Sequence, residues 1–198
     1  MSLSSCKGGI ESVIAGGYCV GCGACSIGDS NLAIRENGFG LYQAELIFSS
    51  RIDPVASNIC PFSSEKNEDD LGGALYGNDS KFDARIGYYK DIYAGHVAEG
   101  QYRKDGSSGG LVSWVLTQLF AEGDIDGVIH VGSTGRRGEL FEYRLSETLD
   151  EIVGNSKSRY YPVHMDDVLR QVKLRKKRYA FVGVPCFVKA VRLLAEHD

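Results

Sequence analysis

No stretch of this chain is apolar for long enough to cross a bilayer. Its start, Met1-Ser2-Leu3-Ser4-Ser5, has neither the basic region nor the apolar region of a secretory signal, so a cytoplasmic location is expected. Excess positive charge is missing as well. A net charge of −4 leaves no footprint for general nucleic-acid binding. No internal repeat is visible. Neither the phosphate loop of nucleotide hydrolases nor the Gly-x-Gly-x-x-Gly dinucleotide fingerprint occurs. Histidine is sparse, and His96, His130, His164 and His197 all lie well downstream of the first cysteines. What remains is a globular composition, with 43% hydrophobic and 10% aromatic residues in 198.

Against these absences stands a dense run of thiols, Cys19-Val20-Gly21-Cys22-Gly23-Ala24-Cys25, with Cys60-Pro61 further on. Two-residue spacers let a backbone wrap one face of a compact inorganic core. The small residues Gly21, Gly23 and Ala24 let it approach closely. Folding can bring the fourth ligand from a distance, and the proline after it stops the local turn from continuing as helix. Structural zinc more often takes two separated pairs of ligands, so three clustered cysteines plus one favour a [4Fe-4S] cluster over zinc. Disulfides fit least, because the three clustered cysteines are too close to pair comfortably and nothing suggests export. Cys19, Cys22, Cys25 and Cys60 are thus the candidate metal ligands, and Cys6, near the terminus, is expected to be free.

Helix and strand signals follow. A short helix is expected from Gly9 to Ala15, ended by Gly16-Gly17. Asn37-Gly38 predicts a hairpin between strands 32–35 and 39–44. Residues 63–80 are polar and glycine-rich and read as the start of a linker, extending to residue 90. Strands are expected at 91–97, 126–132, 141–145 and 179–183, with helices at 111–120, 166–173 and 188–195. This alternation argues for an α/β layered domain whose sheet is at least partly parallel. The expected organisation is a small ferredoxin-like cysteine module over 1–62, a linker over 63–90 and a mixed, partly parallel α/β domain over 91–198 (α+β overall). Because the chain stops on its last helix, the second domain is expected to be incomplete at its C-terminus.

Three further features bear on chemistry. Gly106-Ser107-Ser108-Gly109-Gly110 opens a helix, where free N–H groups and hydroxyls at the positive end of the dipole suit an anion. The plain alternative is a helix capped by Ser107 or Ser108. Cys186 follows Pro185 at another helix start and reads as a structural or flavin-adjacent thiol, with a redox thiol or a ligand to a second cluster as alternatives. The basic run 173–178 reads as a solvated face at a helix end, with docking of an acidic electron-transfer partner a less remote alternative than nucleic acid. Trp114 and Phe120 read as core residues.

Taken together, the cysteine run, Cys60-Pro61, the Ser-Gly helix start, Ser156-Lys157-Ser158-Arg159-Tyr160 and Gly183-Val184-Pro185-Cys186 resemble the coenzyme F420 hydrogenase/dehydrogenase beta-subunit family. The resemblance implies a cytoplasmic iron–sulfur flavoprotein oxidoreductase, with a [4Fe-4S] cluster in the first module and FAD in the second. It implies flavin contacts from Ser107, Ser108, Gly109, Gly110, Ser156, Lys157, Tyr160, Pro185 and Cys186. Its implied partners are an electron-transfer protein or partner subunit and a small-molecule substrate. The family more often reads Gly-Thr-Pro-Cys-Gln where this chain has Val184 and Phe187, and the 156–160 segment is longer than usual. Both departures count against F420 itself as the ligand. A zinc-stapled interaction domain without flavin is the competing reading.

Overall fold

The computed structural model describes residues 8–48, 51–136 and 138–197, and Cys6 lies outside them. Helix α1 (Ile10–Ala15) buries Ile10 and Val13 and ends at Gly16, as the sequence predicts. The cysteine loop follows and runs into α2 (Cys25–Gly28). Strands β1 (Leu32–Glu36) and β2 (Tyr42–Leu46) then pair antiparallel, with Leu32 opposite Leu46. Asn37 organises their turn by accepting the N–H groups of Phe39 and Leu41 on its side-chain oxygen. The left-handed residue there is Gly40, at φ 76°, not Gly38, so the turn is wider than a two-residue hairpin and β2 starts at Tyr42.

Helix α3 (Pro54–Ile59) is capped by Asp53, carries Pro54 in its first turn and delivers Cys60 at its C-cap. The Asp29 carboxylate accepts the N–H groups of Asn31 and Asp53, each at 2.8 Å, which fixes the cysteine loop's exit against the start of α3.

Residues 63–90, expected as a linker, carry regular structure. Helix α4 (Glu68–Tyr76) begins with a reciprocal cap in which Asn67 and Asp70 each accept the other's N–H. Strands β3 (Lys81–Asp83) and β4 (Gly87–Tyr89) form a second hairpin. The acidic stretch that reads as solvating charge is in fact helix-starting charge placed at the positive end of a dipole.

No strand forms over 91–97; the Val97 N–H donates instead to the Gly109 carbonyl at 2.9 Å. After α5 (Tyr102–Asp105) comes α6 (Leu111–Ala121), close to its expected span. Its N-cap is Gly110, at φ 77°, and neither Ser107 nor Ser108 caps it. A Cβ at Gly110 would meet the Tyr102 carbonyl at 2.5 Å, so the glycine is required by both conformation and space. Phe120 packs partly buried beside Leu116, whereas Trp114 is half-buried and donates its indole N–H to Glu99, outside the core.

The central sheet has the order β6-β5-β7. Strand β5 (Gly127–Ser133) pairs antiparallel with β6 (Phe141–Ser146), which leads into α7 (Leu149–Gly154) and α8 (Asp166–Lys173). Strand β7 (Tyr179–Phe181) returns parallel to β5, and α9 (Pro185–Ala195) closes the described chain with Pro185 and Cys186 inside its first turn. The architecture is α+β with one parallel pair, as expected.

Packing joins the cysteine loop to this sheet. Cys22, Ala24 and Ile59 share one buried cluster with Tyr143, Met165 and Phe187. The Met165 N–H donates to the Cys22 carbonyl at 2.9 Å, and the Arg170 guanidinium donates to the Ser26 carbonyl and hydroxyl. Met165 has no exposed surface. Met165→Ala should therefore cost about 2–5 kcal/mol in chemical denaturation, the range for truncating a buried large side chain. A loss under 1 kcal/mol would show that the two parts do not depend on this contact.

Candidate functional site

The four cysteines expected as ligands line one small cavity of about 20 Å³, together with Ile10, Val13 and the small residues between them. Cys22, Cys25 and Cys60 are buried and Cys19 is half-buried; none of the four is in a disulfide. Gly21 and Gly23 hold left-handed conformations, at φ 64° and 90°. A Cβ at Gly21 would lie 2.3 Å from the Tyr42 carbonyl oxygen, and one at Gly23 would press on Asp166. The loop thus needs glycine at both spacers to turn its sulfurs inward.

Backbone N–H groups reach these sulfurs. The Ala44 N–H donates to Cys19 Sγ at 3.5 Å. Burial pushes the Cys22 thiol up to about 12, with Cys60, Cys19 and Cys186 adding to the rise and the Ala24 N–H opposing it. Cys25 is driven up by burial and by Cys22, Cys19 and Cys60. Thiols held this way become thiolates at neutral pH only if a cation enters among them, which couples metal binding to proton release. Tetrahedral zinc, with Zn–S near ~2.3 Å, requires sulfurs about 3.8 Å apart. Among the described residues, the one set of ligand atoms lying within 4.8 Å of one another is His164, Asp166 and Asp167. The four cysteine sulfurs do not form such a set.

Next to this pocket lies a far larger cavity, of about 570 Å³ and partly open to solvent. Its inner wall comes from α6 (Val112, Ser113, Leu116), β5 (His130, Val131) and Tyr143 of β6. Residues 155–163 and the 182–184 turn complete it. Ser156, Lys157 and Tyr160 line it, Tyr160 being 98% exposed at the rim. The helix-start loop stands behind the wall: Ser107 Oγ accepts the Ser158 N–H at 2.9 Å, so two segments expected to serve one ligand are tied together. Ser108, Gly109 and Gly110 do not line the cavity, nor do Pro185 and Cys186, although Gly183, Val184 and Phe187 on either side of them do. Cys186 packs half-buried beside the cluster that holds Cys22.

Val20, between the first two cysteines, lines both cavities. Beyond it, Tyr143 stacks on Phe181 and Phe187 with ring centroids 5.3 and 5.6 Å away. Phe187, a departure from the resembled motif, is therefore a member of a buried aromatic stack.

Residues 92–170 match the model of a family described as coenzyme F420 hydrogenase/dehydrogenase, beta subunit N-term. Over these residues the chain is similar to that family. It is a family of oxidoreductase subunits, and the match contains α6, the central β5–β6 pair and the 156–160 segment. The four clustered cysteines and the Gly183–Cys186 turn lie outside the matched span. No curated protein matches the chain. Among the described residues, no helix is long and apolar enough to cross a membrane.

The sequence reading passed over His130. It is 6% exposed, lines the large cavity and shares a 2.8 Å hydrogen bond between Nε2 and Ser146 Oγ. Its place inside the continuous apolar run Val128-Ile129-His130-Val131 could have flagged it. Burial, helped by Arg144, lowers its pKa from 6.5 to about 4. The unfolded chain consequently binds more protons than the fold between those values. This contribution to stability is fully present above pH 6.5 and is lost as pH falls through the window, by roughly 3 kcal/mol. Denaturation midpoints measured from pH 7 to 4 should fall less steeply in His130→Gln than in the unaltered protein. Parallel slopes would mean that His130 is charged in the fold.

The basic run 173–178 is largely paired. Arg175 and Lys177 both reach Glu147, and Arg178 reaches Asp126. These contacts fit the solvated-face reading.

Proposed function

We propose that this chain is an electron-transferring oxidoreductase subunit in which Cys19, Cys22, Cys25 and Cys60 hold a [4Fe-4S] cluster and the adjoining large cavity holds FAD. The observation that carries this reading is the position of Val20, a single side chain of the cysteine loop that walls both cavities. A cluster exchanges single electrons and a flavin one or two, which together supply the link between a one-electron partner and a two-electron substrate.

The protein's own residues would divide the work. The thiols release their protons to bind iron, and the N–H groups of Ala44 and Ala24 stabilise negative charge on the sulfurs of Cys19 and Cys22. The apolar lining from Ile10, Val13 and Ile34 keeps water from the cluster pocket. On the flavin side, Lys157 and Arg159 bring positive charge to the cavity mouth, suited to phosphate or to a reduced anionic ring. Ser107, by holding the Ser158 N–H, fixes the segment that carries both cations. Cys186 and the Tyr143 stack pack between the sheet and the cysteine loop, which favours a structural, cluster-adjacent role for that thiol. The outer partner would be an electron-transfer protein or companion subunit, the inner one a small molecule, and the site of action the cytoplasm.

Protein purified without oxygen should be brown, with about four irons and four sulfides per chain and bound FAD. Cys60→Ser should lose most of the iron while leaving the sheet domain's FAD affinity within about threefold, since Cys60 lines only the smaller cavity. Colourless protein with one zinc per chain would replace this reading with the zinc-stapled interaction domain.

A further inference from the structure

The inner wall of the large cavity is mostly apolar, built from Val112, Leu116, Val131, Ile152 and Val182, and His130 interrupts it. A buried imidazole among aliphatic side chains is costly unless both ring nitrogens find partners. One nitrogen does: Nε2 is held at 2.8 Å by the hydroxyl of Ser146, which is itself fully buried on the neighbouring strand. The hydrogen bond seen at the ring is the one at Nε2, and His130 is among the residues that line the cavity. The sheet thus fixes an imidazole in the wall of a largely apolar pocket, with a second buried polar residue placed to orient it.

The chemistry of the pair narrows what it can bind. Burial and the Arg144 guanidinium keep the ring neutral, against a weaker opposing pull from Glu151. A neutral imidazole has one donor and one acceptor nitrogen, and a serine hydroxyl satisfies either form of Nε2. His130 can accordingly offer the cavity either an N–H or a lone pair. The edge of a planar heteroaromatic ring, where ring N–H groups alternate with carbonyls and bare nitrogens, matches such a partner. Phosphate and sugar do not need it, and Lys157 and Arg159 already supply cations at the mouth.

We propose that His130, oriented by Ser146, hydrogen-bonds the ring edge of the flavin at the back of the large cavity and sets the depth at which that ring sits. The inference rests on the reading of this cavity as the flavin site. It makes His130 a binding residue and Ser146 a positioning residue acting through it.

FAD titrated into the full chain, followed by flavin fluorescence and visible absorbance, tests the assignment. His130→Leu should bind FAD about tenfold more weakly, the loss of one buried hydrogen bond, and should shift the visible bands of the bound flavin. His130→Gln, which keeps a donor and an acceptor, should recover affinity to within about threefold. Ser146→Ala keeps the imidazole but frees it to turn, and should fall between the two. Should His130→Leu fail to fold, the Gln and Ala variants decide the matter by the same ordering. Unchanged affinity and spectrum in His130→Leu, with FAD bound by the unaltered protein, would overturn this assignment alone. Absence of FAD binding by the unaltered protein would sink the flavin reading and this inference together.

Discussion

The seam between the cysteine loop and the central sheet is the contact on which the rest of this structure depends. At its centre the Cys22 carbonyl accepts the Met165 N–H, Gly23 lies against Asp166, and Ala24 and Ile59 enter the same apolar cluster as Tyr143, Leu169 and Phe187. A four-thiol pocket made only from α1, the first hairpin and α3 would rest on a small core, since its buried cluster holds few large side chains. Docking on the sheet gives it a rigid floor. The same docking places Val20 between the two cavities.

Electrostatics reinforces this arrangement. Burial, with the neighbouring thiols adding to it, raises the pKa values of Cys22 and Cys25, so both stand as neutral sulfhydryls at neutral pH. Across the seam the polar groups are placed sparingly. Ser146 partners one ring nitrogen of His130, and the charges of Lys157 and Arg159 stay near the mouth, where water solvates them. The gradient from apolar interior to cationic rim suits a ligand with a planar ring and an anionic tail.

Periodicity and capping made much of the fold readable in advance. Helix α6 and strands β5 and β6 stand close to their expected places because each has a clean apolar pattern bounded by glycine or a turn. The helix at 68–76 escaped notice because its acidic residues read as linker charge, although Asn67 and Asp70 form a reciprocal cap that single-residue polarity hides. Residues 91–97 have strand-like composition but lie against Gly109, and no local rule reveals that a stretch of chain will pair with a loop. The left-handed turn at Gly40, and not Gly38, was likewise decided by how the strands register.

For the candidate site, residue type and spacing alone singled out the four cysteines, because small spacers between thiols let a backbone turn tightly, and that constraint is local. The sequence also contained the helix-start loop and the 156–160 segment, but not the hydrogen bond between Ser107 and Ser158 that joins them. Tertiary structure alone brought Cys60 to the other three cysteines, set Val20 between two cavities and turned His130 from a strand residue into part of a pocket wall. Those outcomes depend on contacts between residues tens of positions apart. Such contacts come from how whole elements bury their apolar faces against each other, which no short window of sequence records.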